Sequence, residues 1–223
     1  MFGKEIIMKQ IQQVFKILFL ILLSIITACS AQTNDAFSHG EQVISSDKKL
    51  EQLLTDKRIL LFSKTTKFRH KSIEDAIKAF QQLGQRYSFS TYSTEDAKHF
   101  TAKNLKQYDA IVFISTTGSL FNKTQRDAFK QYIQNGGGFM GIHGSSGGEG
   151  HWPWFVKLQG ATFKSHGKIQ ATTVTKVLSP ALKINRLPNN FQFTDEWYNF
   201  NRLSDKRIDV LLVDEKTFKG GKH

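Results

Sequence analysis

Three short apolar runs decide what this chain can fold into: residues 58–63 (Arg-Ile-Leu-Leu-Phe-Ser), 110–115 (Ala-Ile-Val-Phe-Ile-Ser) and 139–143 (Phe-Met-Gly-Ile-His). Continuous rather than alternating hydrophobicity over so few residues is what a strand buried on both faces of a parallel sheet requires. Between the runs lie segments with helical spacing. Ile73, Ile77, Phe80 and Leu83 share one face, with Ser72 and Asp75 placed as an N-cap and its reciprocal partner and Gly84 near the end. Asn122 stands as the cap of a second helix that carries Phe129, Tyr132 and Ile133, and Gly136-Gly137-Gly138 stops it. Residues 87–92 (Tyr-Ser-Phe-Ser-Thr-Tyr) alternate with period two, the pattern of a half-exposed strand. Strands and helices trading places in this way predict an α/β domain, a mostly parallel sheet flanked by helices. After Gly144 the pattern loosens into loops and weaker strands at 169–174 and 208–213. The last residues, Lys-Gly-Gly-Lys-His, add no closing helix or strand, so the domain is expected to be incomplete at its C-terminus.

The N-terminus reads as an address. Lys4 and Lys9 precede an apolar run from Ile17 to Ala28 that is broken only by Ser24 and Thr27. The run is too short for a bilayer span, which takes about 20 residues, and a basic start, a short apolar stretch and small residues at its end mark a secretory signal. It closes on Ile26-Thr27-Ala28-Cys29, which resembles the lipobox of bacterial lipoproteins. The organisation expected is a signal peptide over 1–28, a lipidated Cys29 with a polar tether over 29–56, and one domain over 57–223. Acyl chains on Cys29 would tether the protein to a membrane, in the bacterial cell envelope after export. A short helix near residues 49–54 is the alternative to a featureless tether.

Composition excludes several classes of function. Cys29 is the only cysteine, so there is no intramolecular disulfide, no Cys-rich zinc site and no redox pair. The net charge of +12 loses two units with Lys4, Glu5, Lys9 and Lys16, and the remainder stays basic. The lysines and arginines are scattered, with no basic stripe and no aromatic–basic interleaving, so nucleic acid is not the expected partner. Anionic lipid or envelope polymers suit the charge better.

Ligands of open α/β sheets bind at the carboxyl ends of the strands. Four clusters follow strands here: residues 64–70 (Lys-Thr-Thr-Lys-Phe-Arg-His), Thr116-Thr117-Gly118-Ser119, His143-Gly144-Ser145-Ser146, and Asp195-Glu196-Trp197-Tyr198. These clusters, with Gly136-Gly137-Gly138-Phe139-Met140-Gly141-Ile142-His143, Trp152-Pro153-Trp154 and the continuation Asn199-Phe200, resemble the ThuA-like (trehalose utilisation) family over residues 58–223. The resemblance implies a class I glutamine amidotransferase-like fold and a link to carbohydrate utilisation.

The amidotransferase relatives carry a cysteine on a tight strand-to-helix turn, and Gly141-Ile142-His143-Gly144 stands at the corresponding turn without one. Cys-dependent glutaminase chemistry is therefore not expected. Ser145 and Ser146, which follow this turn, read as replacement nucleophiles or equally as loop polars. Histidine and carboxylate chemistry fits better. His143, Glu196 and Asp195 are the catalytic candidates, as general acid and base on a sugar hydroxyl or on a carbon beside a ketone. His143, His166 and Glu196 are the candidate ligands for a divalent metal such as zinc. Arg69, His70, Thr117, Trp152, Trp197 and Tyr198 are the candidate contacts to a saccharide or keto-sugar, the aromatic faces stacking on sugar rings. Trp154 reads equally as core. Bland alternatives stand beside each: a packed His143 ending its strand, His166 in a surface loop, His70 pairing with a carboxylate, and Asp195 or Glu196 capping a turn or pairing with Arg69. The family often has proline after the His at position 166 and a second His-Pro where this chain has Ser179-Pro180. Two functions follow from these residues: a carbohydrate-active enzyme, or a non-catalytic saccharide-binding module on the same fold.

Overall fold

The continuous apolar runs become parallel strands. The computed structural model describes residues 48–177, 188–201, 203–204 and 211–213, and these fall into two units, Met1–Ser145 and Ser146–His223. Cys29, Ser179-Pro180 and the last ten residues lie outside the described residues. Among the described residues no helix is long and apolar enough to cross a membrane.

The first unit is a four-stranded sheet with helical connections. Strands β1 (Arg58–Phe62), β2 (Ser90–Thr94), β3 (Ala110–Ile114) and β4 (Gly138–Ile142) lie in the order β2-β1-β3-β4. Every pairing is parallel, with Leu60 opposite both Tyr92 and Ile111, and Val112 opposite Met140. Helix α1 (Ile73–Tyr87) links β1 to β2, a short α2 (Ala102–Leu105) precedes β3, and α3 (Lys123–Gln134) links β3 to β4. Both faces of β1 and β3 are covered. Ile59, Leu61, Ala110, Val112 and Ile114 pack with Ile73, Phe80 and Leu83 of α1. The alternate residues Phe62 and Phe113 meet Phe100, Phe121, Phe129 and Phe139, with ring centroids 4.5 Å apart for Phe62–Phe100 and 5.1 Å for Phe113–Phe139. Burying one such phenylalanine side chain stabilises by roughly 1.5–3 kcal/mol. β2 lies at one edge of the sheet, and its Ser/Thr/Tyr composition and partial exposure match a strand that buries little.

Two local expectations are corrected. Ser72 does not cap α1: its backbone is already helical (φ −74, ψ −4) and its side chain makes no cap bond. Gly84 stands near the end of α1 as expected, but the helix runs on to Tyr87, so the strand expected from Tyr87 begins only at Ser90. Gly84 also serves packing, since a β-carbon there would stand 2.6 Å from the Phe89 carbonyl oxygen. The reversal comes at Ser88 in the left-handed region (φ 57), whose N–H returns to the Gly84 carbonyl. Asn122, by contrast, caps α3 as expected, in a reciprocal box with Gln125. Residues 48–54 are helical, the alternative to a plain tether, and Leu50, Leu53 and Leu54 pack on the α1 core.

Among its described residues the second unit holds α4 (Pro153–Gln159) and the strands β5 (Thr162–His166), β6 (Gln170–Lys176), β7 (Asn190–Asp195), β8 (Tyr198–Asn201) and β9 (Leu211–Val213). The pairings among these residues are antiparallel: β5 with β8, and β7-β6-β9. The weaker strands of the sequence are these. They alternate in burial because each sheet shows one face to solvent.

Candidate functional site

The first unit places its chemistry at the carboxyl ends of β1, β3 and β4. Strand order β2-β1-β3-β4 reverses direction between β1 and β3, which opens the crevice where doubly wound sheets take ligands. The loops on either side of the crevice are tied together. Thr66 N–H donates to the Thr117 carbonyl at 2.9 Å, and Thr117 Oγ1 donates to the Phe68 carbonyl at 2.7 Å. Thr117 is nearly buried and so acts on the loop that carries His70. Gly118, at φ +79, cannot be replaced cheaply, because a β-carbon would collide with Thr66 Oγ1.

His143 is the first residue after β4 and stands in the left-handed region at φ 47. Non-glycine residues reach that region at a cost, and they gather at functional sites. It opens a tight 3-10 turn, His143–Gly147, so the ring projects from the strand end. His70 meets it edge to face with ring centroids 4.4 Å apart, and the exposed Phe68 packs on the far side of His70 at 4.8 Å. A ring nitrogen of each histidine lies within 4.8 Å of one on the other, close enough for both to ligate one ion or share one proton path. Both rings are half-buried. Arg69, two residues from Lys67 on the same loop, is committed elsewhere: it bridges Glu74 at 2.7 Å and Glu95 at 2.8 Å. Its bonds to Glu74 and Glu95 raise the guanidinium further above its usual range, and the Arg69 bond lowers the Glu74 carboxyl.

The second unit gathers the remaining candidates. Glu196 follows β7, and its N–H donates to Asp195 Oδ1 at 2.8 Å. Tyr198 donates its hydroxyl toward Glu196 Oε2 at 3.4 Å, and burial with the nearby Glu196 charge raises the phenol above its usual value. Trp197 Nε1 donates to the Gln170 carbonyl at 2.7 Å, which fixes the indole in plane. His166 pairs with Tyr198 across β5 and β8, their rings stacked at 5.9 Å. Its Nδ1 lies 2.7 Å from the Gly167 carbonyl. A carbonyl only accepts, so Nδ1 carries the proton and Nε2 the free lone pair of the neutral ring. His166 is exposed, and among the described residues it joins no group of three ligands close enough for one ion. Trp152 packs on Trp154 at 5.0 Å and on Phe155 at 5.7 Å.

Sequence reasoning missed Glu149. It is fully buried, has φ 51, and lies 3.9 Å from His151 Nε2. A carboxylate set among Gly147, Gly148 and Gly150 was the signal available, since a glycine-rich run leaves the backbone free to turn a charge inward.

The model of the family described as ThuA, trehalose utilisation, matches residues 58–223. A crystal structure from Bacteroides uniformis, described as a ThuA-like protein, is 25% identical and superposes with a TM-score of 0.63, covering 86% of this chain and 76% of that one. A second ThuA-like structure, from Parabacteroides merdae, is 16% identical with a TM-score of 0.61, covering 73% and 71%. No curated protein matches.

Proposed function

The chain belongs to the ThuA, trehalose utilisation, family, and on that premise we propose that it acts on a sugar or keto-sugar derivative at the bacterial envelope, with His143 and Glu196 as its proton-transfer pair. The observation that carries this reading is His143: a strained residue at the end of a sheet strand, with a second imidazole 4.4 Å away. A neutral imidazole takes a proton from a sugar hydroxyl, or from the carbon beside a ketone, and a carboxyl group returns one. His70 holds the His143 ring in place, Asp195 orients Glu196, and the aromatic rings of Trp152, Trp197 and Tyr198 offer stacking surfaces for a saccharide. His70 and His143 also suit a shared divalent ion such as zinc, and such an ion would polarise a carbonyl or hydroxyl oxygen. Cys29 would hold the protein on the membrane through its lipid.

The test pairs metal analysis with turnover. The full chain, purified without added metal, is assayed for bound zinc and for proton exchange or conversion of a panel of sugars and keto-sugars. Turnover lost in folded His143→Ala and Glu196→Ala variants supports the enzyme, and stoichiometric zinc lost in His143→Ala supports the ion. Saccharide binding without any turnover would overturn the enzyme and leave a non-catalytic binding module, whose aromatic contacts are the same.

A further inference from the structure

On the β2 side of the same sheet, the first unit carries an open groove of about 470 Å³ whose lining includes neither His70 nor His143 and which no part of the proposed chemistry uses. Its floor is apolar, built from the buried Ala97, Leu120 and Phe121. Its walls are polar and balanced in charge, with Lys64 and Lys98 against Glu95 and Asp96. We propose that this groove binds a neutral polyhydroxy ligand, a saccharide, at a site separate from His143.

Several of the groove's polar atoms are already spent within the fold. In the cap of α3, Asn122 Oδ1 accepts from Gln125 N–H at 3.0 Å and Gln125 Oε1 accepts from Asn122 N–H at 2.9 Å. Both amide oxygens are thereby fixed, which assigns the two side-chain NH2 groups as donors outside the cap. Lys64 uses one of its three N–H bonds on the Leu120 carbonyl at 2.8 Å and is held at the groove wall by it. Asp96 spends Oδ1 on Lys98 N–H at 2.8 Å, and Glu95 spends Oε1 on Arg69. Each carboxylate keeps its second oxygen as an acceptor. The groove thus offers oriented donors and acceptors on opposite walls over an apolar floor, with no net charge. A hydroxyl both donates and accepts, and a sugar ring has an apolar face with hydroxyls at its rim, so a saccharide matches this arrangement. A phosphate or carboxylate would meet Glu95 and Asp96, and an ammonium would meet Lys64 and Lys98.

The experiment is a titration of the ¹⁵N-labelled full chain with trehalose as the neutral probe and glucose 6-phosphate as its anionic counterpart. Trehalose is expected to shift the amides of residues 95–98 and 119–125, and glucose 6-phosphate to bind more weakly. The decisive variant is Asn122→Asp with Gln125→Glu. It keeps both capping oxygens and places carboxylates at a helix N-terminus, so α3 stays folded, while both NH2 donors are lost. Trehalose affinity at these amides should fall about tenfold or more, the size expected for two hydrogen bonds. The proposal does not depend on the enzymatic reading, and His143→Ala should leave this titration unchanged. Absence of shifts at 95–98 and 119–125, equal binding by the double variant, tighter binding of the phosphate, or loss with His143→Ala would each overturn it.

Discussion

Gly144 lies under the imidazole of His70 so closely that a β-carbon there would stand 2.9 Å from Nε2 and 3.0 Å from Cδ2. The glycine after His143 is therefore needed by the ring that faces His143, and not only by the turn. Gly144→Ala must push His70 off its seat or strain the 3-10 turn. The expected outcome is a loss of roughly 1–3 kcal/mol in urea unfolding, as for other overpacked sites, with a displaced His70 ring resonance. An unchanged His70 signal with unchanged stability would show that the two histidines are not held together by this contact.

The backbone of His143 allows a cleaner test. His143→Gly and His143→Ala both remove the ring, so they differ chiefly in how they tolerate φ 47. Glycine enters the left-handed region without penalty, whereas alanine carries a cost of about 1 kcal/mol. The glycine variant should be the more stable of the two by that amount in chemical denaturation. This inverts the ordinary order, in which glycine loses more entropy on folding. Equal stabilities would mean that the turn relaxes and stores no strain.

Much of this was legible in the sequence because it is written in hydrophobic pattern. Residues 59–62 and 110–114 carry unbroken apolar side chains, which in so short a length is the pattern of a strand with two covered faces. The site was legible by position, as His70, Thr117 and His143 all follow strands. What the pattern could not show is which of these side chains are consumed by the fold. Thr117 and Arg69 carry the chemistry of ligand contacts, yet Thr117 ties its loop to Phe68 and Arg69 clamps Glu74 to Glu95. Such commitments depend on partners distant in sequence, and so does the burial of Glu149. The antiparallel pairing of the second unit was hidden for a related reason: its half-exposed strands alternate weakly, and pairing direction leaves no mark on a single strand.

Capping distinguishes two residues that look alike in sequence. Asn122 Oδ1 accepts from Gln125 N–H and Asn122 N–H donates back to Gln125 Oε1, whereas Ser72 makes no cap bond. Asn122→Ala should therefore cost about 1 kcal/mol, within a range of roughly 0.5–2, while Ser72→Ala should change stability by only a few tenths at most, about the noise of surface substitutions. Thermal or urea melts of the two variants decide it. A Ser72→Ala loss as large as that of Asn122→Ala would mean that Ser72 caps α1 in solution.

Alkaline pH should weaken the first unit through Tyr132. Its ring lies buried beside Gly137, where any β-carbon would strike it, and its hydroxyl donates to the Gly138 carbonyl at 3.4 Å. Burial, and then the charge of Asp109, hold the phenol well above its ordinary value, which is about 10. Folded protein thus keeps this proton at a pH where the unfolded chain has released it. Stability contributed by the neutral phenol is complete below the unfolded value and is lost as pH rises from there toward the folded value. The slope is at most about 1.4 kcal/mol per pH unit for a single group. Tyr132→Phe removes the titrating proton while keeping the ring against Gly137. Urea unfolding at pH 9, 10 and 11 should therefore show wild type losing stability faster than Tyr132→Phe, with the two curves converging or crossing at the alkaline end. Parallel curves over that range would place the alkaline weakness elsewhere, the raised phenols of Tyr108 and Tyr198 being the next to replace.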